Sequence, residues 1–394
     1  MGAKDSFGAF MFKASFVPFV ELCYNESMKI LYVCTSTEVG GAEKAFFTLV
    51  QAALHAGHEV KVLSLRPLGP LGRQLQEAGL SVESLDMRGK CRPLETAGAL
   101  ARLIAQIQAF APDVVHAGLY RAIQFCRLAK RRTPFILVTT PHYDLSRKSY
   151  FLRLLDRALK DGDDVSCAES QSTADFLLQK QKYAQDKVRL VANGVDLQMF
   201  RPDNSLRAAT RAELGFTVQE VIFVCVARLS KEKNHSLLLQ SFQLFYAKHP
   251  QSKLLLVGGG PEQENLRHQA QELGLEKAVA FAGEVSNVCK YLCAADIFVL
   301  PSCIESLPLA LLEAAACGLP AIVSKVGDMP RVVCHGENGF VFNGKDPILL
   351  AVLMTELAEN TDLRQKMGRL VRARVERFYS APEQIYLKIY TEIK

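Results

Sequence analysis

The sequence predicts an α/β protein built from two doubly wound parallel-sheet domains that face each other across a cleft. Three observations lead to this prediction. The chain has 394 residues, which is more than a single hydrophobic core usually accommodates. Short β-rich runs alternate with longer helical patterns, and this alternation starts again near residue 221. The strand runs are continuously apolar, which is typical of parallel strands covered on both faces.

The first half of the chain predicts one set of alternating elements. A strand over Ile30–Cys34 leads through a glycine-containing loop into a helix over Ala42–Ala56. Later runs predict a helix over Leu94–Phe110 and the strands Glu59–Ser64, Asp113–His116, Phe135–Thr140, Asp164–Ala168 and Val188–Val191. Strands that alternate with helices in this way form a parallel sheet with helices on its faces.

The second half repeats the pattern. The loop 228–234 precedes a predicted helix that ends near Ala247, and the predicted strands are Val221–Ala227, Lys253–Val257, Ala278–Ala282, Ile297–Leu300 and Ala321–Ser324. Two such sheets place their ligand crevice at the carboxyl ends of the strands. We therefore expect the functional residues in the loops that directly follow strands.

The domain boundaries follow from the turn-forming residues between the halves. Asn193-Gly194-Val195-Asp196 and the polar, proline-containing segment 200–205 predict the hinge. We expect a first domain over residues 28–200, a second domain over 201–375, and a C-terminal helix within 376–394 that packs back on the first domain.

Residues 1–27 are expected to be an N-terminal extension, either a flexible arm or an over-extended start. They are apolar in patches but contain Asp5, Lys13, Pro18 and Glu21, and they lack a clean signal-peptide core and cleavage site. No run reaches the roughly 18–20 apolar residues needed to span a bilayer. These features predict a cytoplasmic protein.

The net charge of +6 is concentrated in the first half. Residues 28–200 hold 23 Lys and Arg against 17 Asp and Glu. This excess predicts attraction to an anionic acceptor or peripheral contact with an anionic membrane, and a solvated face that balances local acids is the alternative. The cations involved are Lys130-Arg131-Arg132, Arg147-Lys148, Arg153 and Arg157. Nucleic acid is not expected as a partner, because no aromatic-interleaved basic strand or zinc motif accompanies the charge.

The eleven cysteines indicate reduced thiols. Their odd number excludes complete internal pairing, and several lie inside apolar runs, as small buried hydrophobic residues do. Cys289 and Cys293 have helix spacing but no nearby histidine partners. We interpret the set as buried thiols of a cytosolic protein.

The segment from Pro301 to Gly318 is the most informative. Ser306 predicts an N-cap, Pro308 suits a first helical turn, and Gly318 predicts the end of the helix. The helix would then begin directly after a strand and present free N–H groups and the positive end of its dipole. Such a helix start binds phosphate readily.

Two carboxylates flank this helix start. Glu305 precedes the helix and Glu313 lies about two turns inside it, which separates them by on the order of 10 Å. This separation is too large for a paired-carboxylate hydrolase, and it matches the length of a nucleotide sugar. Glu313 is alternatively a solvated helix residue, although its apolar neighbours would make an unused charge costly.

Two further loops follow predicted strands. Arg228 and Lys233 belong to a cationic run that would bind a diphosphate and stabilise its developing charge, unless the run is simply a solvated turn. Gly40-Gly41 opens a helix but lacks the G-x-G-x-x-G spacing, so nicotinamide or flavin binding is not indicated. It still permits close approach of the backbone to a phosphate or an acceptor.

Histidines and aspartates of the first half provide weaker signals. His116 and His142 each end a predicted strand, and His142 is the better site candidate because Thr139-Thr140-Pro141 would deliver it to the crevice. A lone histidine is more often structural. The segment Asp161–Asp164 contains Asp-x-Asp, a metal–diphosphate motif in another class of sugar transferases, and we interpret it here as a turn.

Together these segments resemble the family-four (group 1) retaining glycosyltransferases with the GT-B fold. The resemblance covers nearly the whole chain from Met28 and is strongest from Tyr291 to Phe342. It includes Ala-Asp-Ile-Phe-Val-Leu-Pro-Ser, the Glu–x7–Glu spacing of Glu305 and Glu313, and the following Gly-Leu-Pro. Gly258-Gly259-Gly260-Pro261 also falls where the family has a turn.

The resemblance implies a role for each matching position. Arg228 and Lys233 look like the diphosphate-binding cations, Glu313 like the ligand of the donor ribose hydroxyls, and Glu305 like the contact to the transferred sugar. His142 resembles the histidine that faces the donor sugar. Phosphate would approach the backbone at Ser306, Leu307 and Gly40-Gly41, and the base would lie near Gly283-Glu284-Val285.

The resemblance also implies retention of configuration, commonly explained by front-face attack with the leaving phosphate as base, and no metal or other cofactor. In one departure from the family, Arg331 stands where the family often has an acidic residue after Gly-Gly-x-Pro, which leaves any sugar contact from that loop open.

The expected reaction is transfer of a hexose-type sugar to a glycan or glycolipid acceptor in surface polysaccharide or lipopolysaccharide-type biosynthesis. A GT-B nucleotide-sugar epimerase or phosphorylase, and a nucleotide-sugar-binding protein without turnover, are the alternatives.

Overall fold

The computed structural model describes residues 27–38, 40–88, 93–141 and 149–394. The strands in these ranges are β1 Lys29–Cys34, β2 Glu59–Ser64, β3 Ser81–Ser84, β4 Val114–Gly118, β5 Ile136–Thr140, β6 Val165–Ala168, β7 Val188–Leu190, β8 Val221–Val226, β9 Ser252–Val257, β10 Val279–Gly283, β11 Ile297–Leu300, β12 Ala321–Ser324 and β13 Gly339–Phe342.

The helices in the same ranges are α1 Gly41–His55, α2 Pro70–Glu77, α3 Pro93–Phe110, α4 Tyr120–Lys130, α5 Tyr150–Leu159, α6 Gln171–Gln179, α7 Asn204–Glu213, α8 His235–Tyr246, α9 Gln263–Glu272, α10 Val288–Ala294, α11 Leu309–Ala316, α12 Met329–Val332, α13 Pro347–Glu359, α14 Thr361–Phe378 and α15 Pro382–Ile393. None of the helices in the described part of the chain is both long enough and apolar enough to cross a lipid bilayer.

The described strands form two fully parallel sheets. The first has the order β3-β2-β1-β4-β5-β6-β7 and the second the order β10-β9-β8-β11-β12-β13. In each sheet the chain winds outward from a central strand and then returns to wind the other way. This doubly wound order confirms the predicted fold class and creates a crevice where the order reverses, at the carboxyl ends of β1 and β4 and of β8 and β11.

Most strands lie where the sequence predicts them, and the differences are local. The edge strands β3 and β13 were not predicted. Strand β4 extends to Gly118, so His116 lies inside the strand and not at its carboxyl end. The expectation that His116 ends a strand was wrong because Ala117 and Gly118 continue the pairing with β1.

The first sheet is covered by helices on both faces. One face packs with α1 and with the C-terminal helix α15, whose Tyr386, Leu387, Ile389 and Tyr390 are buried there. The opposite face packs with residues of α3 and α4. Because α15 follows the second domain in sequence, the core of the first domain contains residues from both ends of the described chain.

Two chain segments cross between the domains side by side. The N–H of Val195 donates to the carbonyl of Tyr379 at 3.0 Å, and a Cβ on Gly194 would overlap with Pro382. Val195 and Phe200 are buried against the second domain. The predicted hinge segment therefore lies next to the point where the chain returns to the first domain.

Candidate functional site

The centre of the site is a buried carboxylate between two loops of the second domain. Glu305 follows β11, and its Oε1 accepts from Lys233 Nζ at 2.6 Å and from Ser302 Oγ at 2.7 Å. The side chain of Glu305 is 8% exposed and that of Lys233 is 21% exposed. Among the described residues, Oε2 of Glu305 has no hydrogen-bond partner, which leaves it able to accept from a ligand hydroxyl.

The loop after β8 is held against the loop after β11 by backbone and amide contacts. Asn234 adopts a left-handed conformation with φ 57°, and its side-chain amide donates to the carbonyls of Pro301 and Gly344 at 3.3 and 3.2 Å. The N–H of Cys303 donates to the carbonyl of Glu232 at 2.8 Å. These contacts fix Lys233 at the end of its short helical turn and bring it to Glu305.

Arg228 lies at the mouth of the same crevice with its side chain exposed. It has no ion pair or side-chain hydrogen bond with any residue in the described ranges, so its guanidinium can bind an anion.

The glycine turn after β9 positions the backbone that carries Arg228. Gly258 has φ +133° and Gly260 has φ +154°, and a Cβ at either would overlap with the carbonyl oxygen of Ala227 or Leu229. Only glycine permits this close approach.

Glu313 lies on α11 and is partly buried. Its carboxylate has no hydrogen-bond partner among the described residues. Burial raises the pKa of its carboxyl to about 7, and the positive charge of Lys44 opposes this rise. Lys44 belongs to α1 of the first domain, so Glu313 faces a cation from across the crevice. An unpartnered carboxylate in this position can accept hydrogen bonds from ligand hydroxyl groups.

The glycine pair of the first domain also faces α11. Gly40 caps α1 in an extended conformation without a side-chain hydrogen bond. A Cβ on Gly41 would lie 3.9 Å from Leu309 Cδ1, at the first residue of α11. The N-termini of α1 and α11 therefore approach each other across the crevice. The first N–H groups of a helix and the positive end of its dipole favour an anion, so these two helix starts favour an anion between them.

The side chain of Ser306 does not cap α11. Helix α11 begins at Leu309 with Pro308 at the cap position and no side-chain cap, so the expectation that Ser306 is the N-cap was wrong. Its hydroxyl crosses to the first domain, where it lies 2.7 Å from Ser170 Oγ and donates to Glu169 Oε1 at 3.2 Å. Two residues, Leu307 and Pro308, separate Ser306 from the helix, which places its side chain too early to cap it.

Leu307 and Asp328 complete the interdomain contact, and Gly327 supports it from within the second domain. Leu307 is buried, and its carbonyl accepts from Asn193 Nδ2 at 2.9 Å. Asp328 accepts from the N–H groups of Gln171 and Ser172 at 2.6 and 3.1 Å, at the start of α6 in the first domain. The turn at Gly327, φ +53°, packs on the carbonyls of Glu305 and Ser306.

Arg331, where the sequence departs from the family pattern, is exposed, and its Nε lies 3.9 Å from Asp328. Val285 is partly buried just after β10. The preceding Gly283 accepts from the N–H of Gly258 at 2.8 Å, which places Val285 beside the glycine turn.

The first-domain candidates divide into three cases. His142 lies outside the described residues. His116 is fully buried. Its Nδ1 is hydrogen-bonded to the hydroxyl of Tyr390, and its Nε2 lies 2.8 Å from Thr140 Oγ1, so it is a structural residue. The turn predicted at Asp161–Asp164 is confirmed by a short helical turn over 160–162. Asp163 is buried and paired with Arg127 at 2.7 Å.

Three residues of the site were not found from the sequence. Lys44, Glu169 and Asp328 gain their positions only when the two domains meet. Glu169 is buried at this contact, and burial raises the pKa of its carboxyl. The only sequence signal was positional, since Lys44 follows Gly40-Gly41 and Glu169 directly follows a predicted strand.

Comparisons with known proteins place this chain among glycosyltransferase sequences and folds. A family model described as "Glycosyl transferases group 1" matches residues 207–374, and one described as "Glycosyltransferase Family 4" matches residues 39–199. The D-inositol 3-phosphate glycosyltransferase of Corynebacterium glutamicum is 30% identical over 226 residues, which are 55% of this chain and 54% of that protein. The chain spans between half and two thirds of the length of the first curated relatives it matches.

Solved structures share the fold. HepE of Anabaena in complex with UDP and glucose superposes with a TM-score of 0.83 at 22% identity, covering 92% of this chain and 99% of that chain. WaaG, described as a glycosyltransferase involved in lipopolysaccharide biosynthesis, superposes with a TM-score of 0.73 at 15% identity, covering 90% and 98%. Both matches extend over the two sheets and the crevice between them.

Proposed function

The chain belongs to the glycosyl transferases of group 1, and we propose that it is an enzyme that moves a hexose-type sugar from a nucleoside diphosphate to a glycan or glycolipid acceptor. The observation that carries this proposal is the pairing of Glu305 with Lys233 and Ser302 beside the start of α11. It unites an acceptor for sugar hydroxyls with a cation for phosphate at one point of the crevice.

The diphosphate is proposed to lie between Arg228, Lys233 and the N-termini of α1 and α11. The sugar–phosphate bond lengthens in the transition state and negative charge accumulates on the departing phosphate. Arg228 is free to bind phosphate oxygens through its planar fork, and Lys233 supplies a compact charge. Fixed cations and N–H groups aimed at that charge stabilise it without reorganisation. These groups stabilise the departing phosphate without a metal ion, and we therefore propose metal-independent transfer.

The two glutamates are proposed to hold the two ends of the donor. Oε2 of Glu305 is available to a hydroxyl of the transferred sugar, while Glu313 accepts from the ribose hydroxyls. The base is proposed to lie near Val285, beside the glycine turn after β9. The complex of HepE with UDP and glucose supports a uridine donor that carries a hexose, and we take UDP-glucose as the first donor to test.

We propose that the transfer retains the anomeric configuration. Glu305 is the carboxylate nearest the phosphate-binding cations, and its hydrogen bonds with Lys233 and Ser302 lower its nucleophilicity. Attack of the acceptor on the same face from which the phosphate leaves then needs no covalent intermediate, and a departing phosphate oxygen takes the acceptor proton. His142 is proposed to face the donor sugar.

The acceptor is proposed to be a glycolipid or surface glycan, presented at an anionic membrane. Helix α5 exposes Tyr150, Phe151 and Leu154 to 70, 72 and 44%, and Arg153 and Arg157 lie on the same helix. Exposed aromatic residues beside cations are typical of helices that lie in a membrane interface. The description of WaaG supports a lipopolysaccharide-type product.

A product assay tests the proposed reaction. The protein is incubated with UDP-glucose and with a set of other nucleotide sugars, each with a lipid-linked acceptor fraction, and nucleoside diphosphate and glycosylated product are quantified. We expect equal amounts of both and an anomeric configuration unchanged by NMR. An epimerase would give free epimerised sugar, a phosphorylase would need inorganic phosphate, and a binding protein would give no turnover; each result would contradict the proposal.

A further inference from the structure

Three cysteine thiols converge on the side of the second domain next to the interdomain linker. Cys289 and Cys293 lie on one face of α10, and Cys317 is the C-cap residue directly after α11. Their Sγ atoms all lie within 4.8 Å of one another, and those of Cys289 and Cys293 are 3.9 Å apart. Each side chain is at least nine-tenths buried. The nine described cysteines are all free thiols.

The spacing of the three sulfurs matches the needs of a thiophilic cation. Zn²⁺ binds thiolates at about 2.3 Å, so three sulfurs around one such ion lie about 3.8–4.0 Å apart. A disulfide would instead need an S–S distance of about 2.05 Å and would leave the third thiol unpaired. The arrangement therefore suits a shared metal better than a disulfide.

The interdomain linker contributes oxygen atoms to the same cluster. The thiol of Cys289 donates to the carbonyl of Met199 at 3.2 Å, and that of Cys293 donates to the carbonyl of Arg201 at 3.4 Å. A carbonyl oxygen or a water can complete the tetrahedral coordination that zinc prefers. The sulfurs thus sit where α10, the end of α11 and the linker between the domains meet.

We propose that Cys289, Cys293 and Cys317 form a three-thiolate site for a thiophilic divalent cation of the Zn²⁺ class, which joins the linker to the second domain. As each metal–sulfur bond forms, the thiol releases its proton, and the S–H donations to Met199 and Arg201 are replaced by coordination to the cation. Glu313 lies one turn before Cys317 on α11, outside the sulfur cluster. The site is structural and separate from transfer, for which we propose no metal.

Direct metal binding tests this proposal. Purified, reduced full-length protein is titrated with Cd²⁺, which reports thiolate ligation by ultraviolet charge-transfer absorption, and with Zn²⁺ in competition with a chromogenic chelator. We expect one equivalent of metal per chain and a release of up to three protons. Cys293→Ala and Cys317→Ala should each weaken binding at least tenfold, about 1.4 kcal/mol.

The matched control is Cys167→Ala, which removes an equally buried thiol from β6 of the first domain and should leave the metal affinity unchanged. If the variants of the cluster do not fold, the wild-type titration still decides. Absence of a thiolate–cadmium band at one equivalent, or equal metal affinity in the Cys293→Ala and Cys167→Ala proteins, would show that the three thiols are only buried hydrophobic residues.

Discussion

The ammonium of Lys233 lies 2.6 Å from the carboxylate of Glu305, although 72 residues separate them in the sequence. The strands β8 and β11 are neighbours in the sheet, so the loops that follow them emerge together. A pair of opposite charges is thereby held at the crevice before any ligand arrives.

Replacement of Lys233 by alanine should lower kcat/KM for the nucleotide sugar at least tenfold, about 1.4 kcal/mol in barrier. The change removes a cation from the leaving phosphate and leaves the Glu305 carboxylate buried without its charged partner. Steady-state kinetics with the donor identified by the product assay measures this. Lys253→Ala is the control, since Lys253 pairs with Glu220 at 3.5 Å, remote from the crevice. An equal loss in both variants would contradict the assignment.

Glu313 should make donor binding depend on pH. Its pKa of about 7 in the free protein means that the carboxylate, which accepts from ribose, forms only as the pH rises through that value. Affinity should therefore increase as the pH rises through about 7, and Glu313→Gln should weaken it about tenfold, or 1.4 kcal/mol. Isothermal titration calorimetry with UDP across this pH range measures the affinity. The Glu313→Gln protein is the control, because protonation of UDP itself would change the affinity of both proteins equally. A parallel pH dependence in both proteins would oppose this role.

The same pKa gives a stability effect of opposite sign. Because the folded pKa of about 7 exceeds the ordinary value of 4.5, the contribution of Glu313 to folding is fully present below 4.5. It is lost as the pH rises through about 7. Chemical denaturation of the free protein at several pH values should show this pH-dependent loss of the free energy of unfolding in the wild type and not in Glu313→Gln.

Gly258→Ala should impair the site through its backbone. A Cβ there would overlap with the carbonyl of Ala227, so the segment that carries Arg228 must move. We expect weaker donor binding and a loss of stability of more than about 1 kcal/mol. Gly215→Ala is the control, because Gly215 also has positive φ, +70°, with nothing within 4 Å of its Cβ position. If Gly215→Ala weakens donor binding equally, displacement of Arg228 is not the cause.

Asp328→Asn should weaken the contact between the domains. The carboxylate accepts from two N–H groups at the start of α6, and a negative charge at a helix N-terminus contributes about 0.3–1 kcal/mol. We expect a larger radius of gyration by small-angle scattering in the absence of ligand. Arg331→Ala removes the exposed neighbour of Asp328 and should leave the scattering unchanged. Identical scattering from wild type and Asp328→Asn would show that this contact does not hold the domains together.

Tyr150 and Phe151 should be required for membrane contact. Burying an exposed aromatic side chain contributes about 1.5–3 kcal/mol, so the double change to serine should reduce binding to anionic vesicles at least about tenfold. Flotation with phosphatidylglycerol vesicles at low and high salt measures this. Val218→Ser, at a residue 87% exposed in the second domain, is the control. Wild-type protein that does not float at low salt would remove the membrane part of the proposal.

The sequence predicted the parts of this structure whose signal is local. Buried strands such as Ile297–Leu300 are continuous apolar runs, and their ends located the loops that carry Arg228, Lys233 and Glu305. Edge strands were missed for a physical reason. Strand β3 has the sequence Ser-Val-Glu-Ser with only Val82 buried, and β13 begins at Gly339 with φ +157°.

Long-range geometry explains the remaining differences. Serine is a favoured N-cap residue, but the partners of the Ser306 hydroxyl, Glu169 and Ser170, belong to the other domain. Lys44 becomes a site residue only because the docking of the domains places its charge opposite Glu313. Cys317 joins Cys289 and Cys293 because the end of α11 reaches α10. No pattern within one segment encodes these contacts. The first two depend on how the domains dock, and the third depends on how α10 and α11 pack within the second domain.

The return of α15 to the first sheet also bears on how the protein is synthesised. Tyr390 is fully buried there and bonds to His116, so the first domain requires residues near the end of the chain. The second domain has all its own strands and can fold as it leaves the ribosome. The first domain is made earlier, but the part of its sheet that α15 covers stays exposed until α15 has been synthesised. A protein truncated before α15 would therefore be damaged in its N-terminal half and not in the adjacent second domain.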